Sequence, residues 1–481
     1  MQKTFWSNLL LIVLLNVLVK PFYLFGVDAQ IQNTVGAEDY GMYFALLNFS
    51  FLFNILLDIG ITNYNTKNIA EHPNTISRYI GSILGVKAVL GFSYAAITIG
   101  VALILDYGDL QMKLLGILVF NQFLVSIILY FRSNFAGLHL FKIDALLSVL
   151  DRTILIVICL FLLYTTAVDT PFQISWFVYA QTVAYGSTVL IGLLLTLWKI
   201  GIPKLKINKL FTYAILRKST PYALLILLMM LYSRIDAVML ERILEDGKTQ
   251  AGIYAQGFRL LDAANIFALL VAGLLLPIFA RLIKDKASVA ELLQTSSKLL
   301  IGISILIGLG GCFYAYELMD FIYHQERAAA SIAFPWIILS FVPMASTYVF
   351  GTLLTANGSL KQLNIMALSG VGINIALNLI LIPSKGAEGA AIATVSTQTF
   401  TALWQIFLTL KIFKLKVVSR DLIRMVIFTL SLFVAFFMIE QFFSNNYFKI
   451  FSYFIFGTIS LFSLKLINLK ELFIIIKSKS V

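Results

Sequence analysis

The chain has 481 residues, 60% hydrophobic and only 12% charged, with a mean hydropathy of +0.91. That balance excludes a soluble globular protein and describes a polytopic membrane protein. The net charge of +12 is spread along the chain between apolar runs instead of forming one basic domain, which argues against nucleic acid as a partner.

Fourteen apolar runs, each long enough to cross a hydrocarbon core of roughly 30 Å, follow in chain order. The first, 5–27, opens MQKTFW and has the charge of a signal peptide. It is too long for one, contains Lys20-Pro21 and lacks a small-residue cleavage site, so it reads as a retained helix. The others are 41–62, 79–105, 112–131, 145–167, 174–198, 219–240, 251–280, 297–316, 331–356, 362–382, 388–410, 422–440 and 447–467. Their continuous apolar character disfavours a barrel, whose strands alternate over about ten residues.

Connecting segments do not exceed about 20 residues, too short to fold a catalytic domain outside the bilayer. There is no Walker A pattern. Cys159 and Cys312 lie inside runs and read as packing residues, while His72, His139 and His324 form no metal constellation. The chain is therefore expected to be no enzyme, with no cofactor and no metal.

With the N-terminus placed in the cytoplasm, most of the 36 Lys and Arg fall in the terminal and even-numbered connecting segments. The richest are WKIGIPKLKINKLFTYAILRK and KIFKLKVVSRDLIR. Anionic headgroups of the cytoplasmic leaflet attract such segments. Both termini are then cytoplasmic.

The chain also repeats itself. GMYFALLNFSFLFNI at Gly41 aligns without gaps to GIYAQGFRLLDAANI at Gly252, matching Tyr43 with Tyr254 and Asn54 with Asn265, and AGLHLFK at Ala136 echoes ANGSLKQ at Ala356. Offsets of 211 and 220 residues fit six helices per half, duplicated in like orientation. The expected architecture is all-α: a six-helix lobe at 1–200, a basic cytoplasmic linker at 201–218, a pseudo-two-fold-related six-helix lobe at 219–412, and two further helices at 413–481.

Nine ionisable residues lie within the runs: Lys20, Asp58, Lys87, Asp151, Arg152, Arg234, Asp236, Arg259 and Asp262. Unpaired in lipid they would cost on the order of 25 kcal/mol together, beyond the roughly 5–15 kcal/mol stability of a whole fold. They must face one another or water. Arg259 and Asp262, three apart, share a helix face; Arg234 and Asp236, in LLMMLYSRIDAVML, are roughly 200° apart and need partners elsewhere. With helix one ending at residue 27, Lys20 falls about 22 Å from its inner end, in the outer half with Arg234 and Arg259. Asp58, Lys87, Asp151 and Arg152 fall nearer the cytoplasm.

Two readings stand beside each other. These residues are interhelical ion pairs, a reading to which Lys20, Lys87 and Asp58 are most open, or they line a cavity between the halves, favoured for Arg234, Asp236, Arg259 and Asp262. Pro21, Pro277, Pro335 and Pro343 permit bends, and Asn364, Asn374 and Asn378 put a polar seam on one helix.

Taken in order, KPFYLFGVDAQIQNTVGAEDYGMYFAL from Lys20, LLDIGI from Leu56, and RID, AGIYAQGFRLLDAAN and LLLPIFARL within 234–282 give the chain its likeness. It resembles the polysaccharide (O-antigen and capsule type) flippases of the multidrug/oligosaccharidyl-lipid/polysaccharide exporter (MOP) superfamily. The resemblance implies two lobes facing a cavity in the bacterial cytoplasmic membrane. Alternating access there moves an undecaprenyl-diphosphate-linked oligosaccharide outward for surface polysaccharide synthesis. Lys20, Arg234 and Arg259 match the cavity cations of that family, and Arg152 and Lys87 join them as candidate substrate contacts. Asp236, Asp262, Asp58 and Asp151 are candidates for ion coupling or charge balance. Implied partners are the lipid-linked oligosaccharide, membrane lipids, H+ or Na+ and a polysaccharide polymerase. The two extra helices look more like the lipid II flippases. A drug or organic-cation antiporter of the same superfamily and an integral-membrane glycan polymerase are the competing readings.

Overall fold

The computed structural model describes residues 15–16, 18–62, 65–66, 69, 76–165, 171–201, 209–415 and 419–467, and every regular element among them is helical. Residues 5–14 and 17 of the first expected run and 202–208 of the expected linker lie outside the described residues.

The first run does not stop at residue 27. A π-helical turn, Tyr23–Asp28, leads directly into α1 (Ala29–Leu52), which stays helical to Gly36, at φ 87° and ψ 169°. A side chain would be strained there, so glycine permits the sharp change of direction that starts the second span at 37. That span in turn ends ten residues earlier than expected. A 3-10 turn, Asn54–Leu57, and left-handed Ile59 (φ 42°) and Gly60 (φ 78°) break it. Asp58 sits in the break, where its carboxylate accepts from the Thr62 N–H and hydroxyl.

Then follow α2 (Ile76–Ile104), α3 (Asp109–Gly137), α4 (Phe141–Tyr164), α5 (Ile174–Ile200), α6 (Lys209–Ile243) and α7 (Gly247–Lys284). After these come α8 (Ala290–Phe313), the short α9 (Ala315–Ile322), α10 (Arg327–Leu339), α11 (Phe341–Ala356), α12 (Leu360–Phe413), α13 (Ser419–Phe442) and α14 (Asn446–Ser463). Among the described residues, ten helices are long and apolar enough to cross a membrane. One of them, α12, has 54 residues, about 81 Å if straight, far beyond one hydrocarbon core. Gly386 (φ 54°, ψ −130°), three residues after Pro383, turns it back, so α12 holds two spans. A Cβ on Gly389 would overlap the Leu381 carbonyl, which is why the turn can be so tight.

The described chain forms two compact units: one holds residues up to Arg242 together with Asp246–Gly252, the other Ile243–Glu245 and Ile253 onward. This boundary lies beyond the expected linker at 201–218. The C-terminal part of α6 belongs to the first unit because its polar side chains are bonded there, Arg234 Nη1 to Asn48 Oδ1 at 3.3 Å and Glu241 Oε1 to Gln111 at 2.6 Å.

In the first unit Tyr130, Phe131, Phe135, Ile83, Ile127 and Leu147 form a core, with glycines as sockets: a Cβ on Gly91 would strike Phe123, and one on Gly192 would strike Phe131. The closest packing is backbone on backbone. Gly41 faces the Lys248 carbonyl and Gly252 faces the Ala37 carbonyl, leaving no room for a Cβ on either, and Gln32 Nε2 donates to the Gly252 carbonyl at 2.9 Å. Small residues allow such close helix crossings in membranes. These are the two glycines that open the repeated stretches.

In the second unit α13 and α14 pack on α8 through Leu306, Phe428, Leu432, Tyr453 and Leu461, and Phe313 stacks on Phe436 with centroids 4.2 Å apart. Gly457 of α14 receives Leu306 and Leu432. Gly457→Leu is expected to cost about 1–3 kcal/mol by overpacking and to make α13–α14 the first site of proteolytic cleavage in the purified protein. Unaltered proteolysis would show that this socket does not hold the pair.

Candidate functional site

The N-terminal helix and α4 run side by side in the first unit. Asn16 Nδ2 donates to Ser148 Oγ at 3.1 Å, and one turn further along both helices stand Lys20 and Arg152. On α4, Asp144, Ser148, Arg152, Leu155 and Cys159 recur at helical spacing, so one stripe is polar toward its start and apolar beyond. Lys20 lies within electrostatic range of Arg152, Arg132 and Asp151. More helix follows Lys20 than expected: it continues to residue 35, about 22 Å beyond the lysine, instead of about 10 Å to residue 27.

Arg152 lies over two rings, its Cζ 4.9 Å from the centroid of Tyr23 and 5.7 Å from that of Tyr185. Cation–π contacts of this kind fix a guanidinium without using up its donors. Its Nε is 3.8 Å from Asp151, and Arg132 Nε donates to Asp144 at 2.7 Å. The side chains of Arg152 and Arg132 keep 29% and 27% of their surface accessible. Beside them Asp28 is buried and accepts from the hydroxyls of Tyr40 and Tyr23. Three cations partly balanced by carboxylates, with accessible donors, make an arrangement suited to a phosphate-type anion.

Lys87 and Asp58 form a separate pair. Lys87 is 1% exposed and gives its ammonium to Asp58 Oδ1 (2.7 Å), Ser126 Oγ (2.8 Å) and the Leu57 carbonyl (3.2 Å). Two of the three ammonium protons thus satisfy the broken end of the second span, and the third goes to Ser126 of α3. Lys87→Met is expected to destabilise by about 3–5 kcal/mol, because Asp58 loses its counter-charge, and Asp58→Asn in the same chain to recover part of that. Thermal unfolding of the purified single and double variants checks this; a fully stable Lys87→Met would show the pair to be dispensable.

Elsewhere in the first unit, Arg234 bonds Asn48 and lies over Phe51 at 5.5 Å, while Asp236, two residues on, is buried. In the second unit Arg259 Nη1 is 3.9 Å from Asp262, the pairing that their spacing predicts. The asparagine seam is there as well: Asn378 Nδ2 donates to Asn374 Oδ1 at 3.1 Å, both fully buried, and Tyr254 and Thr394 share a hydrogen bond of 2.9 Å.

The structure thus brings Lys20, Asp151 and Arg152 together and joins Asp58 to Lys87. It adds Asp28, Arg132 and Asp144, which sequence reasoning missed. Asp28 falls one residue past the expected end of the first run, and Arg132 and Asp144 fall in what reads as a connecting segment.

The fold is that of the MOP-superfamily transporters. A lipid II flippase, MurJ, in an inward closed conformation superposes with a TM-score of 0.74 at 13% identity, covering 95% of this chain and 98% of that one. An inward-facing multidrug resistance MATE family transporter gives 0.64 at 14% identity, over 81% and 94% of the two chains. A MOP-superfamily transporter from Pyrococcus furiosus, described as having a binding pocket of reverse polarity, gives 0.62 at 14%, over 85% and 95%. No curated protein matches the sequence. The family model described as polysaccharide biosynthesis protein matches residues 5–283, more than half of the chain, and the chain belongs to that family.

Proposed function

We propose that this multi-pass membrane protein is a flippase, not an enzyme. It carries an undecaprenyl-diphosphate-linked oligosaccharide from the cytoplasmic to the outer leaflet of a bacterial cytoplasmic membrane by alternating access, with both termini cytoplasmic. The observation that carries the reading is the cluster of Lys20, Arg132 and Arg152 within an otherwise apolar bundle. A diphosphate leaving water needs its hydration replaced by cations and donors, and this cluster supplies them. Its carboxylates, Asp144 and Asp151, keep binding weak enough for release. Arg234 and Arg259 serve as later contacts along the path; Asp236 and Asp262 balance charge or take up a coupling H+ or Na+. A polysaccharide polymerase is the partner that would receive the product.

A second reading, lipid II as the cargo, is favoured by the fold likeness to MurJ over 95% of this chain. A leaflet-accessibility assay separates the two. In a strain lacking this chain, lipid-linked surface oligosaccharide is expected to accumulate on the inner leaflet and to move outward once the chain is restored. Accumulation of lipid II instead would transfer the assignment, and accumulation of neither would overturn both.

A further inference from the structure

The outer end of α6 carries a carboxyl group that no transport role above uses. Glu241 is 91% buried, its residue exposure being 9%. Its Oε1 accepts from Gln111 Nε2 at 2.6 Å, while its Oε2 is buried with no hydrogen-bond partner. The same patch holds a second orphan, the hydroxyl of Tyr107, whose residue is 6% exposed. Tyr107 is held from both sides: its ring lies under the Arg242 guanidinium, 4.6 Å from Cζ, and meets Phe49 edge-on at 5.6 Å.

Around this patch the α2–α3 connection is stitched to α6. Arg242 donates to the Leu105 carbonyl, and Gln111, besides bonding Glu241, accepts from Gly108 N at 3.1 Å. The charged and titratable groups that face Glu241 are Tyr107 from the connection, Arg242 from its own helix and Lys248 from the start of α7. Lys248 is shared with Glu38, 4.0 Å away. Burial, and after it the charge of Glu241, pushes the Tyr107 phenol up, so this hydroxyl stays protonated at working pH.

We propose that Glu241 is a proton-binding site that latches the 105–111 connection to the end of α6. A carboxylate with one buried oxygen unsolvated is costly, and the cost falls if that oxygen gains either a proton or water. A proton from the aqueous phase bound at Oε2 turns the oxygen into a donor, for which the Tyr107 hydroxyl oxygen is an acceptor in the same patch. Oε1 continues to accept from Gln111. The latch is then closed and dry. Loss of the proton to water favours hydration of the carboxylate, which requires the connection to lift away. In the orientation proposed above this end faces outward, so protons supplied from outside hold the outer end shut and thereby favour the inward-open state.

Hydrogen exchange on the full-length protein in nanodiscs tests this without any substrate, so its failure is distinguishable from failure of the flippase reading. With intrinsic rates corrected for pH, the amides of 105–111 are expected to exchange roughly fivefold more slowly at pH 6 than at pH 8.5, the worth of one hydrogen bond. Glu241→Gln is expected to show the slow rate at both pH values. Gln111→Leu, a check on folding as well as on the latch, is expected to exchange faster than wild type at both while keeping the pH dependence. Equal wild-type rates at the two pH values, or pH dependence surviving in Glu241→Gln, would overturn the proposal.

Discussion

Arg152→Ala is expected to lower the delivery of lipid-linked oligosaccharide to the outer leaflet by roughly 10- to 100-fold at unchanged expression, the worth of one charge-assisted interaction of about 1.5–3 kcal/mol. The guanidinium is held between Tyr23 and Tyr185 with part of its surface still accessible, so it is both fixed and available. Arg152→Lys is expected to fall between alanine and wild type, since an ammonium keeps the charge but loses the planar fork and the ring stacking. That intermediate separates a role in binding from one in packing, because packing alone would make lysine no better than alanine. Measuring thermal unfolding of each variant beside transport completes the separation. Full transport in Arg152→Ala would remove this residue from the site.

Gly41→Val and Gly252→Val are each expected to prevent accumulation of folded protein, with a cost of about 3 kcal/mol or more. A Cβ at either position overlaps a carbonyl of the opposing backbone, and the obstruction is not the flexible tip of a side chain that could turn aside. Gly116→Ala and Gly186→Ala make the comparison sharp. An added methyl meets nothing within 4 Å at those positions, so both are expected to stay close to the wild-type melting temperature, within about 0.5 kcal/mol. Fluorescence-detected thermal unfolding of the four variants in detergent is the check. Equal behaviour of both pairs would show that the Gly41–Gly252 crossing yields more easily than its geometry implies.

Hydropathy made the spans legible because lipid imposes a length and an apolar composition on whatever crosses it. It failed where helix is surrounded by protein. Residues 28–35 carry Asp28, Gln30, Gln32, Asn33 and Thr34, yet remain helical, with Asp28, Ile31 and Gln32 buried against neighbouring chain. Polarity there marks interior contacts and not the end of a helix. That boundary lengthens the helix beyond Lys20, and the structure puts the lysine in the company of Arg152.

The break after Leu52 was hidden for the opposite reason. The stretch is apolar enough to look continuous, and only the third dimension shows Lys87 arriving to satisfy Asp58 and the Leu57 carbonyl. Local pairs were readable when both partners lay on one helix, as with Arg259 and Asp262. Pairs that depend on the rotational phase of two helices, such as Lys20 beside Arg152, were not. The repeat alignment singled out Gly41 and Gly252 as equivalents, but nothing in one dimension says that equivalent glycines touch.

The central claim is that the cations of the first unit engage an anionic lipid headgroup. Binding of undecaprenyl-diphosphate-linked oligosaccharide to the purified protein in nanodiscs, wild type against Lys20→Gln/Arg152→Gln, tests it most directly. Affinity is expected to fall by about 100-fold or more in the double variant, as two charge-assisted contacts would give, with an unchanged melting temperature and a steeper salt dependence in the wild type. Equal affinity in the two proteins would contradict it.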